Sequence, residues 1–264
     1  MTEDFFQINN NQFNYLRFGS GPDVLIAIPG YGERASIFEQ LKESLSQQYT
    51  VYALQLPLHG SSEWQGNSFH KKGFQTVFEK IKEKENKEKV SLMGYSFGAR
   101  VICSMLEDIH PFVEKLFLLA PDGFNQQYIN RATFLPKGIR LFLQSTLNRP
   151  FWYLGIARGL HQLGLLKSYS LLFVERHLAT EKRRKRLFLF WNSLDGFRYE
   201  EEKIGELIEH CNIATCLIMG NEDVVIPTEK WKTWGKNRKY ITIQTLDEGH
   251  RIIGPKLNRL LVKI

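Results

Sequence analysis

"KVSLMGYSFGARVICSM", residues 89–105, changes its period half-way along. "VSLMG" is a short apolar run of the kind that makes a buried strand, and "FGARVICSMLEDI" has the length and apolar spacing of a packed helix. Gly94 and Gly98 stand two residues before and two after Ser96. A strand that bends directly into a helix crowds the backbone at those two places, where any side chain would clash. Glycine at both leaves one hydroxyl at the tip of the turn, between Tyr95 and Phe97.

Further apolar runs bounded by turn residues recur at "FNYLRFG", "VLIAIPG", "YTVYALQLP", "KLFLLAPDG", "ATCLIMGNED" and "YITIQTLDEG" and read as strands. Amphipathic segments of helical length separate most of them: "ERASIFEQLKESLSQQ", "FHKKGFQTVFEKIKEKE", the helix after Ser96, "YEEEKIGELIEH" and "PTEKWKTWGKN". Strand and helix in alternation predict an α/β fold, a mostly parallel central sheet with helices on both faces. The alternation breaks between residues 123 and 195, where helical patterns and aromatics occur without a strand pair. The expected organisation is one core domain of residues 1–122 and 196–264, with 123–195 inserted as a helical lid.

The 264 residues are 43% hydrophobic and 24% charged, with no repeat or low-complexity stretch. A formal charge of +7 raises the question of nucleic acid, but the basic residues are scattered and no nucleic-acid motif accompanies them. The densest run, "EKRRKR" at 181–186, reads as a solvated helix face, with an anionic surface as the alternative. Cys103, Cys211 and Cys216 lack the spacing of a zinc site or a disulfide framework and read as buried thiols. The opening "MTEDFFQINNNQF" has no secretion-signal pattern, and no run approaches the roughly 20 apolar residues of a membrane span. A cytoplasmic protein is expected, with neither metal nor cofactor.

A serine hydroxyl is a weak nucleophile until a base takes its proton, and that base must be oriented by a third group. Ligands of parallel sheets gather at the carboxyl ends of strands, so the partners are sought there. "CLIMGNEDVVIP" presents Asp223 and "IQTLDEGHRIIG" presents His250, in the order Ser, Asp, His. Glu222 is the alternative acid, while His59, His70, His110, His161, His177 and His210 fit the pattern less well. Acyl transfer also needs donors for an oxyanion. The candidates are the backbone N–H groups of Tyr31, which Gly30 allows to turn inward, and of Phe97.

These motifs resemble those of the α/β-hydrolase superfamily, in its lidded esterase and C–C hydrolase branch. The resemblance rests on "PGYG" for the oxyanion loop, "LPLHGSS" after the third strand run, "GYSFGA" for the elbow, "GNEDVVIP" for the acid and "DEGH" for the base. It departs at Pro29, where a histidine is usual, and at Gln55, where an aspartate is usual. It implies a serine hydrolase of carboxylic esters, with small to medium apolar acyl or aryl groups suiting a lid rich in Phe, Trp, Tyr and Leu. The partner would be a small-molecule ester, with weak contact between lid and membrane surface; the oligomeric state stays open. Arg100, Gly30 and Tyr95 are candidate substrate contacts, and the other reading of Arg100 is an arginine paired with a nearby acid at the helix flank. Arg100 follows Ser96 by one helical turn, as in menaquinone-pathway synthases of the MenH type, so a lyase or C–C hydrolase acting on a carboxylated substrate is the alternative, and a non-enzymatic ligand receptor a further one. Serine at 96 argues against a haloalkane dehalogenase, which needs a carboxylate there.

Overall fold

A computed structural model describes residues 2–123, 151–226 and 228–263. The stretch 124–150 of the expected lid, and Pro227 of the "GNEDVVIP" motif, lie outside the described residues. The most apolar runs form the middle of a sheet: β3 (Asp23–Ile28), β4 (Tyr49–Leu54) and β5 (Val90–Tyr95). Every residue of β4 and β5 is buried, as is every residue of β3 after Asp23, which is how strands covered on both faces read. Around them stand β1 (Thr2–Ile8), β2 (Asn11–Phe18), β6 (Val113–Leu119), β7 (Ala214–Gly220) and β8 (Ile241–Leu246). The order is β1-β2-β4-β3-β5-β6-β7-β8, with β3 to β8 parallel and the β1–β2 hairpin antiparallel at one edge.

One face of the sheet, carrying Leu25, Ala27, Val51, Ala53, Met93 and Phe117, packs against Phe38, Leu41, Leu45 and Leu257. These last residues come from a 3-10 helix (Ala35–Leu41), from α1 (Lys42–Leu45) and from the final helix, Pro255–Leu261. The alternate residues Ile26, Leu92 and Leu118 are buried as well, so the second face is also covered. There α3 (Phe97–Ile109), buried along most of its length, packs on β3, β5 and β6, and α2 (Lys71–Lys84) packs on α3.

Three elements differ from expectation. The opening residues form β1, an edge strand whose side chains are mostly exposed and therefore give no apolar signal. "ERASIFEQLKESLSQQ" is a 3-10 helix over Ala35–Leu41 followed by a single α turn, and its buried residues Ala35, Phe38 and Leu41 recur at every third position, the repeat of the 3-10 form. Pro255–Leu261 adds a short closing helix.

By internal contacts the chain divides into two compact units: Met1–Gln65 with His70–Gln126 and Gly196–Ile264, and Gly66–Phe69 with Gln127–Asp195. The described part of the second unit is helical: α4 (Phe151–Gln162), α5 (Ser168–Leu178) and α6 (Glu181–Ser193). Thr180 caps α6 by accepting the Arg183 N–H at 3.3 Å, and Glu181 in the first turn complements the helix dipole. "EKRRKR" is thus the opening of α6, with a Glu181–Lys185 ion pair along its face. In the first unit, α7 (Glu201–His210) and α8 (Thr228–Gly235) complete the helices.

Candidate active site

Sheet register determines which loops meet. Ile28 pairs with Gly94 and Tyr95 with Leu119, so the segments leaving β3, β5 and β6 emerge side by side at the carboxyl edge. Ser96 occupies the bend between β5 and α3 with φ +51° and ψ −115°, a conformation that costs a non-glycine residue on the order of 1–3 kcal/mol. Four backbone bonds hold it there. The Ser96 N–H donates to Leu119 O at 2.8 Å, and Ser96 O accepts from the N–H groups of Ala99, Arg100 and Asp122. The flanking glycines are required by contact: a methyl group on Gly98 would lie 1.9 Å from Ile28 O, and one on Gly94 2.4 Å from Ala99 Cα.

β7 and β8 bring the other two residues to the same edge, and the Asn221 N–H bonds Leu246 O to tie their following loops together. His250 Nε2 lies 3.0 Å from Ser96 Oγ, and His250 Nδ1 lies 2.8 Å from Asp223 Oδ2. Asp223 Oδ1 accepts the N–H groups of Val225 and Ile226 at 2.8 and 2.9 Å, so the local turn orients the carboxylate. The Asp223 side chain is 1% exposed. Burial pushes its pKa up, but the bonds from His250 and from the two backbone amides outweigh burial and hold it below 3.8. An ionised Asp223 accepts, so the proton sits on His250 Nδ1 and the Nε2 lone pair faces the Ser96 hydroxyl. Glu222 is exposed, and Asp223 is the acid that meets His250.

The loop after β3 approaches the bend closely: a side-chain carbon on Gly30 would lie 3.2 Å from Ser96 Cβ. This loop is held from the segment following β4. Gln55 Oε1 accepts the Ala35 N–H at 3.1 Å, and His59 Nε2 accepts the Gly32 N–H at 2.9 Å. His59 Nδ1 donates to Pro57 O at 2.8 Å, which fixes the neutral tautomer that leaves Nε2 as acceptor. The His59 ring is 3% exposed and meets the Tyr31 ring edge-on at 5.6 Å. Phe97, the first residue of α3, has its N–H at a helix start, where such groups lack an intrahelical acceptor.

A profile of the alpha/beta hydrolase fold family matches residues 23–156, half of the chain, and takes in β3, the elbow and β6. The chain belongs to this family. Among curated proteins it resembles abhydrolase domain-containing protein abhd-5.2 of Caenorhabditis elegans, 28% identical over 159 residues, which cover 58% of this chain and 33% of that protein. The chain spans about a third of the length of the first curated relatives it matches. Among solved structures it resembles the thioesterase domain from the curacin biosynthetic pathway (TM-score 0.63, 18% identity, 99% of each chain). It also resembles the esterase RhEst1 from Rhodococcus sp. ECU1013 (TM-score 0.64, 15% identity, 100% of this chain and 97% of that one). These structural likenesses concern the fold.

Two of the expected substrate contacts have other bonds in this α/β-hydrolase. Arg100, 1% exposed, sends Nε and Nη2 to the two carboxylate oxygens of Asp122, each at 2.9 Å. Asp122 in turn donates its N–H to Ser96 O, and its carbonyl accepts the Tyr199 hydroxyl at 3.0 Å. The ion pair therefore braces the bend from behind. Tyr95 is buried, its ring 5.5 Å from that of His250, and its hydroxyl donates to His250 O at 3.0 Å. Burial pushes the Tyr95 phenol well above its ordinary value and keeps it a donor. Sequence reading missed these supporting roles of Tyr95, His59 and Asp122, although "LPLHGSS" and "LAPDG" contain two of the three. Burial pushes the Cys103 and Cys216 thiols up to about 12 and about 11, so both stay protonated. Cys211, expected buried, is half-exposed at the end of α7.

Proposed function

We propose that the protein is a serine hydrolase of carboxylic esters, working through an acyl-enzyme on Ser96. The observation that carries this reading is the continuous line of bonds from Ser96 Oγ through both nitrogens of His250 to Asp223. Ser96 Oγ attacks the ester carbonyl as His250 Nε2 takes its proton. The oxyanion is held by the Tyr31 and Phe97 N–H groups, and the imidazolium gives the proton to the departing alkoxide. Water, deprotonated by the same nitrogen, then attacks the acyl-enzyme and releases the acid. Asp223 keeps the imidazole in the needed tautomer throughout and offsets its transient charge.

His59 acts in this scheme as a positioning residue, since it anchors Gly32, the neighbour of the proposed donor Tyr31. Removing an oxyanion donor outright costs about a hundredfold or more in kcat. His59→Phe keeps a ring against Tyr31 but removes the acceptor, and is expected to lower kcat by about tenfold with little change in KM, a smaller loss than that of a donor itself. Steady-state kinetics on a short aryl ester measure the split. An increase in KM with kcat intact would place His59 in substrate binding instead.

The way Arg100 is engaged supports the proposed substrate class. Its Nε and Nη2 are bonded to Asp122, which argues against that arginine as ligand for a substrate carboxylate and favours an uncharged ester over the lyase reading. The insertion 123–195 is proposed as the source of acyl selectivity. On a panel of p-nitrophenyl esters graded in acyl length, kcat/KM is expected to rise about fourfold per methylene until the pocket is full, each buried methylene contributing about 0.8 kcal/mol. A flat response joined to a strong preference for carboxylated substrates would replace the ester reading with the lyase.

A further inference from the structure

Nine large apolar side chains are exposed among the described residues, and five of them fall in one short stretch: Ile156, Leu160, Leu163, Leu165 and Leu172. Ile156, Leu160 and Leu163 follow one another at intervals of four and three, a single face of α4 continued into the turn after it. That turn folds back on the helix, with the Leu165 N–H bonded to Leu160 O at 2.9 Å. An ion pair of Arg158 with Glu175 at 2.9 Å joins α4 to α5 in antiparallel register. At about 1.5 Å per residue, Leu160 and Leu172 then lie within a turn of that pair, on the side of the hairpin tip. Leu163 and Leu165, each 73% exposed, form the tip itself.

The charge of this unit is one-sided. Residues 151–195 carry eight Lys and Arg against only Glu175, Glu181 and Asp195. Arg183 Nη1 donates to Arg176 O, which brings the basic opening of α6 beside the last turn of α5, set back from the leucines along the hairpin. Apolar side chains at a tip with cations behind them match the layering of an anionic bilayer, acyl chains beneath phosphates. Helices of 12, 11 and 13 residues are too short to span the roughly 20 residues a bilayer requires. Among the described residues no helix is long and apolar enough to cross a membrane.

We propose that the α4–α5 hairpin tip docks on the surface of an anionic phospholipid bilayer. Its exposed leucines enter the acyl boundary, and the basic residues of α5 and α6 meet lipid phosphates. The fit to an acidic protein is poorer, because such a partner would satisfy the charges and leave the exposed leucines of the turn uncovered.

Sedimentation of the intact chain with vesicles tests the idea, using phosphatidylcholine alone and phosphatidylcholine mixed with phosphatidylglycerol. Binding to the mixed vesicles is expected to exceed binding to neutral ones by about tenfold or more. Leu163→Ser with Leu165→Ser, at exposed positions, should weaken binding by about tenfold or more, as should Lys182→Gln with Lys185→Gln. A Leu163→Trp reporter should shift its emission to the blue on mixed vesicles and be quenched by brominated acyl chains. Ser96→Ala should bind as the parent does, so the outcome is independent of the hydrolase reading. Absence of binding to either vesicle would overturn the proposal. Equal binding by the leucine variant without reporter quenching would also overturn it, leaving adsorption by charge to any polyanion, an acidic protein included.

Discussion

Ser96→Ala is expected to lower ester turnover by about 10⁵-fold to 10⁶-fold, the scale of loss when a triad nucleophile is deleted. An organofluorophosphonate should label the parent protein on the single peptide that contains Ser96 and leave the variant unlabelled. The reason lies in the bend: Ser96 Oγ is 3.0 Å from His250 Nε2, so the base stands where the hydroxyl proton must go. The same bend makes a second readout possible. At φ +51°, Ser96 is held in a region that glycine enters at no steric cost, so Ser96→Gly should be inactive yet melt at a higher temperature than Ser96→Ala. Labelling of another serine, or substantial turnover by either variant, would remove Ser96 from the mechanism.

Much of the core was legible because its signals are local. Seven of the eight strands among the described residues read as apolar runs ending in turn residues, and the burial of β3, β4 and β5 on both faces is what the most continuous of these runs encode. Ser96, Asp223 and His250 each follow a strand, which is why a search restricted to strand ends reaches all three. β1 escaped because an exposed edge strand needs no apolar face. The supporting bonds escaped for another reason: they depend on register. Asp122 is 22 residues from Arg100, and His59 27 residues from Gly32; they meet because β5 lies between β3 and β6 and β4 lies against β3. No periodicity in the chain carries that information. Arg100 illustrates the cost, since its spacing from Ser96 leaves both a substrate contact and a pairing with a nearby acid open, and only the folded chain identifies Asp122 as that acid.

Asp223→Asn is expected to reduce kcat by about 10⁴-fold, although it exchanges a single heavy atom of the side chain. The amide oxygen of this variant can still accept the Val225 and Ile226 N–H groups, so the turn should survive and present the amide nitrogen to His250. An amide N–H donates where the carboxylate accepted. His250 must then carry its proton on Nε2, pointing it at Ser96 Oγ, and the base has no lone pair for the serine proton. The pH dependence of stability gives an independent check. The Asp223 pKa is lowered in the folded chain relative to its ordinary 3.8, so the unfolded chain binds the proton more readily. Its ionised form therefore contributes stability above that ordinary value, and the contribution is lost as pH falls through the lowered one. Asp223→Asn should flatten this acid limb of the denaturation profile. Glu222→Gln is expected to change neither kcat nor that limb, because Glu222 is exposed while Asp223 holds the histidine. The reverse pattern, with Asp223→Asn active and Glu222→Gln inactive, would transfer the role of acid to Glu222 and require the β7 loop to rearrange before catalysis.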